Sequence, residues 1–377
     1  MSACFELSGF EVKDIVSKAE KITSGKNTTM PVLSSVYFKV RSGNLTATCF
    51  DTKSGYVYTH PQQVNCEDVG MVVPLKEFSS LVKNFNNNDT ISLTKEGSKV
   101  GIKNSFADFT ISLLNEEEYP EIELNEGCEE NSLVLTQEEF SHYFSLSYCA
   151  AKEAAARAIL SSLMVKNNNK KVSFFSTDGH CLAYGEKEFS GDEIVGSNDV
   201  CIPKIFVDFV LKFVKDTNQE KIKVMFRKDI VSVGLDNLLV FSRLIDGEPL
   251  DPDMILSQMS EFRYTTTFEK EKLIEAFKFF SNTNKDTIPV VVKANERNIV
   301  LSLQGSSISG RISVEGESVM YKTEEPIEFG INADYALNAV DHINQDEVCI
   351  SLIDGISAVF FYGKNDNDRH VVMPVKI

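Results

Sequence analysis

Two landmarks recur three times along this chain, at spacings of 127 and 129 residues, and that regularity limits the fold more than any other feature. The first is a turn followed by a helix pattern: VVPLKEFSSLVKNF at 72–85, CIPKIFVDFVLKFV at 201–214 and GINADYALNAVDHI at 330–343. Pro74, Pro203 and Asn332 are successively 129 residues apart. Apolar side chains return every three or four positions in each copy, as Phe78, Leu81, Val82 and Phe85 do in the first. That is the spacing of one buried helix face. The second landmark is an alternating, strand-like run ending in a turn: NLTATCFD at 44–51, KVSFFSTD at 171–178 and IVLSLQG at 299–305. Asp51, Asp178 and Gly305 are successively 127 residues apart.

A third piece opens each copy: FELSGFEVKDIVSKAEKI from Phe5, LVLTQEEFSHYFSLSY from Leu133 and YTTTFEKEKLIEAFKFF from Tyr264. Each reads as a short strand, a Ser, Thr or acidic cap, and a helix. The remainder of each copy is strand-like with turn punctuation, which predicts two helices and about six to eight short strands per unit. The period places the units at 1–125, 131–255 and 262–377, separated by the acidic polar stretch LNEGCEENS and a second boundary at PDMILSQMSE. The expected fold class is α+β: three tandem units, each with two helices packed on antiparallel sheet. Such units either stack in line or close into a ring, and closure removes exposed sheet edges. Periodicity alone does not choose between these.

Charge narrows the function classes. The chain has 38 Lys and Arg against 55 Asp and Glu, a net charge of −17. That excludes a protein that coats nucleic acid over its whole surface, yet leaves room for a local basic face. Lysines mark the helix patterns: Lys26 after the first, Lys76 and Lys83 on the second, Lys152 after the third, and Lys204 and Lys212 on the fourth. The pattern fails at 332–343, which has no Lys or Arg. The eight cysteines form no CxxC pair and have no histidine cluster beside them. No zinc site, disulfide framework or cofactor is therefore expected, and the thiols read as reduced and cytosolic. No apolar run approaches the length of a membrane span, and no leader pattern opens the chain, so a cytoplasmic location away from membranes is expected.

A hydrolase built on Cys181 and His180 is conceivable, but adjacent residues on an extended segment point to opposite faces. The nucleophile-elbow, zinc-protease and P-loop motifs do not occur. No catalytic residue is assigned, and a non-enzymatic role is expected.

Three segments are more specific. They are Ser176-Thr177-Asp178-Gly179-His180-Cys181-Leu182-Ala183, Phe241-Ser242-Arg243-Leu244-Ile245-Asp246-Gly247 with Pro249 and Asp251, and the end of the chain, His370-Val371-Val372-Met373-Pro374-Val375-Lys376-Ile377. Together with the repeat they resemble the bacterial DNA polymerase III β sliding clamp family of processivity factors, as a divergent member. That family shows a TDGHRLA turn, an LxDGxFPDY segment and a VVMPMRL terminus. The resemblance implies a head-to-tail homodimer whose six domains close a ring around duplex DNA, held topologically and without reading sequence. It implies that helix lysines such as Lys26, Lys76, Lys83, Lys152, Lys204 and Lys212 face the DNA. It implies a pocket for peptides of the polymerase and the clamp loader. The matching positions are Leu160, Thr177, Gly179, His180, Cys181 and Leu182; then Leu250, Met254 and Ile255; then Val371, Val372, Met373, Pro374, Val375, Lys376 and Ile377. It implies a dimer seam of Phe109 and Ile111 against Phe279 and Phe280 of a second copy. The departures are Cys181 where the family has Arg, Leu250 where it has Pro, and Asp253-Met254 in place of a basic pair. These suit a different peptide preference. A ring-shaped scaffold that does not encircle DNA stays open as an alternative.

Overall fold

The computed structural model describes residues 4–23, 30–120, 131–152, 157–168, 171–190, 193–195, 199–215, 217–227, 229–283, 289–304 and 309–377. Its helices are α1 (Gly9–Thr23), α2 (Leu75–Val82), α3 (Gln137–Ser145), α4 (Lys204–Val214), the short α5 (Asp253–Leu256), α6 (Lys270–Thr283) and α7 (Ala333–Asp341). Each repeat follows one order among the described residues: strand, helix, a group of middle strands, helix, three closing strands.

The order produces two antiparallel strand groups per repeat, which the pairing of Tyr264–Glu269 with Ser309–Tyr321 joins into one sheet in repeat three. In one, the opening strand pairs with the first closing strand: Cys4–Ser8 with Thr90–Glu96, Asn131–Thr136 with Lys221–Arg227, and Tyr264–Glu269 with Glu347–Leu352. In the other, the first middle strand lies between the second and the last. Ser35–Arg41 pairs with Asn44–Phe50 and Val69–Pro74. Ser162–Asn168 pairs with Lys171–Thr177 and Val200–Pro203. Val290–Ala294 pairs with Asn298–Gln304 and Ile327–Ile331.

The chain divides into two compact units, Met1–Gln137 with Asp208–Leu244, and Glu138–Val207 with Ile245–Ile377. Sheet continuity explains the division of the central repeat. In the first unit, Ser54–Thr59 of repeat one pairs with Leu238–Arg243, the last closing strand of repeat two. In the second unit, Cys181–Glu188 of repeat two pairs with Arg369–Val372, the last closing strand of repeat three.

Local chemistry sets the helices. Ser8 Oγ accepts the Glu11 N–H at 3.2 Å while Glu11 Oε2 accepts the Ser8 N–H at 2.9 Å, a reciprocal cap on α1. Asn332 Oδ1 accepts the N–H groups of Asp334 and Tyr335 at the start of α7. In α1 the residues Val12, Ile15, Val16, Ala19 and Ile22 are buried, the expected three-and-four stripe. Beneath them Tyr56 is fully buried, and its hydroxyl donates to the Ile15 carbonyl at 2.7 Å. In the second unit, α6 and α7 contribute Leu273, Phe277, Ala336 and Val340 to one apolar core with the surrounding strands.

Candidate partner-peptide cleft

The turn between Lys171–Thr177 and Cys181–Glu188 shows why 176–182 has the residues it has. Thr177 and Leu182 face each other across the ladder. Asp178 Oδ1 accepts the N–H of His180 at 2.8 Å and of Cys181 at 3.0 Å, so the carboxylate closes the turn that the backbone opens. Thr177 Oγ1 accepts the Gly179 N–H at 3.0 Å and donates to the Cys181 carbonyl at 2.5 Å. Gly179 sits at φ +93°, where a Cβ would be strained. The other Asp178 oxygen accepts the Tyr335 hydroxyl of α7 at 2.6 Å. Burial pushes the Asp178 carboxyl up, but the Tyr335 hydroxyl and the two amides outweigh it and hold the group below the usual carboxylate range.

The chain terminus is fixed to the same place. Arg369–Val372 adds to the sheet, with Val372 opposite Cys181 and Val371 opposite Leu182. Met373 N–H donates to the His180 carbonyl at 2.8 Å, and Val375 N–H donates to the Gly330 carbonyl at 2.8 Å. Gly330 is needed for this: a Cβ there would lie 2.5 Å from the Val375 carbonyl oxygen and 2.8 Å from Ile377 Cγ2.

Apolar side chains from these strands form one cluster. Leu182, Val371, Met164, Phe175 and Phe360 are buried, and Leu250, Ile255, Leu256, Met259 and Phe262 pack half-buried against them. Leu250 N–H donates to Met164 Sδ at 3.4 Å. In the same unit Met254 is 79% exposed, Ile377 61%, Val375 40% and Met373 37%. Exposed Met and aliphatic side chains over a formed apolar floor suit a cleft that accepts an apolar chain.

Most of the expected pocket residues therefore come together in one unit. Thr177 and Gly179 form the turn, and Leu182, Leu250, Ile255 and Val371 belong to the cluster. Val372 is fully buried in the core of the last repeat and so presents no side chain to a bound peptide. Leu160 is half-buried on the short 3-10 turn Ala158–Ser161, and its carbonyl accepts the Ala151 N–H. His180 is exposed, with its ring 6.4 Å from that of Tyr335. Pro374 is half-buried and Lys376 exposed. Cys181 is buried; its contact with Cys149, then burial, drives the thiol far above its usual range. A nucleophilic cysteine requires the opposite shift, so the hydrolase alternative loses its nucleophile. The sequence reading missed Tyr335, assigned there only to a helix stripe. It also missed Met164, Phe175 and Phe360, whose alternating patterns signal a strand but not which cluster they join.

In the strand Arg369–Val372, His370 is wholly buried, with Nδ1 2.9 Å from the Tyr148 hydroxyl. Burial first, then the nearby His342 and His142, lowers its pKa to about 3. His142 lies 2.6 Å from Asp368, whose hydrogen bond holds the imidazole above its ordinary value.

The lysines are less uniform than expected. Lys76, Lys152 and Lys212 are exposed, and Lys26 lies outside the described residues. Lys83 is exposed but pairs with Glu20 at 2.7 Å. Lys204 is half-buried and donates to the Ser147 carbonyl at 3.1 Å, which spends one of its donors within the fold. Two lysines of α1, Lys18 and Lys21, lie 5.3 and 5.1 Å from the Phe213 ring. The helices also carry acids, among them Asp14, Glu77, Asp208 and Glu275, so they are mixed in sign.

At the expected seam, Phe109 and Phe279 are exposed at 44% and 58%. Ile111 and Phe280 are buried at 6% and 2%, Phe280 within the core of its own repeat. Phe280 therefore faces the core of its own repeat and not the surface, because α6 turns adjacent residues to different faces.

The repeats and the way their sheets join define a three-domain clamp fold. Three family models match the chain in series: the DNA polymerase III beta subunit N-terminal domain at 6–123, central domain at 134–250 and C-terminal domain at 260–376. The chain belongs to the DNA polymerase III beta subunit family. It is 21% identical over 362 residues to the beta sliding clamp of Vibrio cholerae, covering 94% of this chain and 95% of that one. It is also 21% identical over 378 residues to the beta sliding clamp of Mycoplasma capricolum, covering 98% of each. The crystal structure of a sliding clamp from Pseudomonas aeruginosa bound to griselimycin superposes with a TM-score of 0.88 at 19% identity, covering 100% of both chains. The clamp from Bacillus subtilis gives 0.88 at 19% identity, again covering 100% of both.

Proposed function

We propose that this chain is a DNA sliding clamp: two copies joined head to tail encircle duplex DNA and tether replication proteins through short peptides bound in the cleft. The observation that carries the reading is the rule by which the sheets are joined. A middle-sheet strand pairs with the last closing strand of the next repeat, once between Ser54–Thr59 and Leu238–Arg243 and once between Cys181–Glu188 and Arg369–Val372. Two strands with the same places in the rule are left over. Asp108–Ser112, the last closing strand of repeat one, pairs with one strand only among the described residues. Ser309–Glu315, within the long strand Ser309–Tyr321 of repeat three, pairs only with Asn298–Gln304 among the described residues. Both are largely exposed. An unpaired edge invites another strand, and a second copy placed head to tail supplies each edge with its complement. Phe109 lies on the first of these edges, and Phe279 on α6 of the repeat that carries the second.

Closure of this kind is a topological tether, so affinity for phosphate can be modest. An acidic protein with scattered lysines meets that requirement better than one that wraps DNA tightly. The work is binding rather than catalysis, and it belongs in the cytoplasm with the replication machinery. No helix among the described residues is long and apolar enough to cross a membrane.

Sedimentation tests the ring first: the expected mass is twice the 42.1 kDa of one chain. Phe109→Asp with Phe279→Asp should give monomer, because each exposed ring buried at a seam contributes about 1.5–3 kcal/mol. Loaded wild-type protein should stay on circular DNA and run off linear DNA. A wild-type monomer at micromolar concentration refutes the ring, and equal loss from both DNAs refutes the tether in favour of a scaffold.

A further inference from the structure

We propose that the cleft selects extended peptides whose apolar anchors are flanked by lysine or arginine; this rests on the peptide-binding reading above. The carrying observation is the double character of residues 245–262. Its apolar members, among them Leu250, Ile255, Met259 and Phe262, pack half-buried against the cleft floor. Its charged members are Asp246, Glu248, Asp251, Asp253 and Glu261, all exposed, and it contains no Lys, Arg or His. A chain lying on the apolar floor therefore meets a segment whose exposed charges are all carboxylates.

Exposed Arg157 precedes Ile159, whose side chain lies against Gly247, and offsets part of the charge of Asp246 and Glu248; the five carboxylates still outnumber the nearby cations. Lys166 reaches Asp251 at 3.9 Å, the outer limit of an ion pair. Arg369 is spent within its own domain. Its Nη1 donates to the carbonyls of Asp366 and Asp368 at 2.6 and 2.7 Å, its Nε donates to Met259 Sδ, and its guanidinium lies 4.7 Å from the Tyr362 ring. Arg263, the next cation in the chain, is near enough to Asp354 to add a small lowering of that carboxyl's pKa, after the Ser357 and Ile356 hydrogen bonds. Lys376 on the tail is the remaining exposed counter-charge on the terminal segment. Carboxylates within a Debye length of about 8–10 Å act together on a bound chain. Complementary charge of this kind sorts partners more than it raises affinity, and it disfavours acidic peptides outright.

The experiment uses the full-length protein and three fluorescein-labelled decapeptides sharing one Leu/Phe anchor segment, flanked by Lys, Gln or Glu. Binding is read by anisotropy at low and high salt. The Lys peptide is expected to bind about tenfold more tightly than the Gln peptide at low salt, and the Glu peptide more weakly, with the ranking compressed at high salt. Asp246→Asn with Glu248→Gln and Asp253→Asn should erase the ranking and leave the Gln peptide unchanged. The salt dependence of the wild type tests the same point without any variant. Equal affinities at low salt, or a preference for the Glu peptide, overturn the charge inference while the cleft stands. Failure of all three peptides to bind overturns the cleft as well.

Discussion

Replacing Tyr335 with Phe removes one oxygen and with it the 2.6 Å bond to Asp178 that ties α7 to the Thr177–Leu182 turn. Hydrogen bonds to a charged group are worth about 1.5–3 kcal/mol. Both partners are half-buried rather than sealed, and Asp178 keeps two backbone donors, so the lower end applies. About 1.4 kcal/mol is a factor of ten, so local opening of the turn should rise about tenfold. The amides of His180 and Cys181 donate to Asp178 and report this directly by hydrogen exchange. Exchange should accelerate there and leave the α1 region of the first unit unchanged. The pH dependence is a second readout. Asp178 is held below its ordinary pKa, so its stabilising contribution is present above the unfolded value near 3.9 and is lost as pH falls through the folded value. In Tyr335→Phe that loss should begin at higher pH, because a donor that favours the carboxylate is gone. Unchanged protection at 180–181, or acceleration spread over both units, refutes the idea that this bond fixes the turn.

Three further outcomes follow from the same geometry. Gly330→Ala should displace Val375–Ile377 and weaken binding of an uncharged apolar peptide several-fold without changing the dimer, as measured by anisotropy and sedimentation; unchanged affinity would separate the tail from the cleft. Gly55→Ala sets a Cβ 2.5 Å from the Phe241 ring and 2.6 Å from the Cys49 carbonyl, at the join between repeats one and two, and should cost about 1–3 kcal/mol by urea unfolding of the first unit. His370 has a folded pKa of about 3 against about 6.5 unfolded, so its contribution is full above pH 6.5 and declines as pH falls toward 3. His370→Phe should flatten the acid limb of stability by about one proton in that window, and a limb of unchanged slope would mean the histidine is not the group responsible. His142 works in the opposite direction: Asp368 raises its pKa, so its contribution is present at low pH and lost as pH rises through the raised value.

Much of the architecture is legible in the chain because repetition, helix stripes and strand alternation are local signals. Ser8 and Asn332 announce the starts of α1 and α7 through cap chemistry that acts within three residues. The Thr177–Leu182 turn is legible for the same reason, since Asp178 closes it with two amides two and three positions away. The lysine pattern was the weaker signal. The sequence carries no indication that Lys83 would meet Glu20 or that Lys204 would turn to Ser147, because those partners are 63 and 57 residues away.

Three copies of one strand-and-helix order, the caps and turns that start them, and the apolar residues available for burial are all set along the chain. Only the tertiary structure decided which strands join, which edges stay open, and that Tyr335 closes a turn 157 residues distant. The physical reason is range. Periodicity and capping are enforced by neighbours along the backbone, whereas a sheet ladder offers the same N–H and C=O groups at every position. Side-chain fit between distant segments selects the partner, as where Gly55 makes room for Phe241 and Gly330 for the terminal tail.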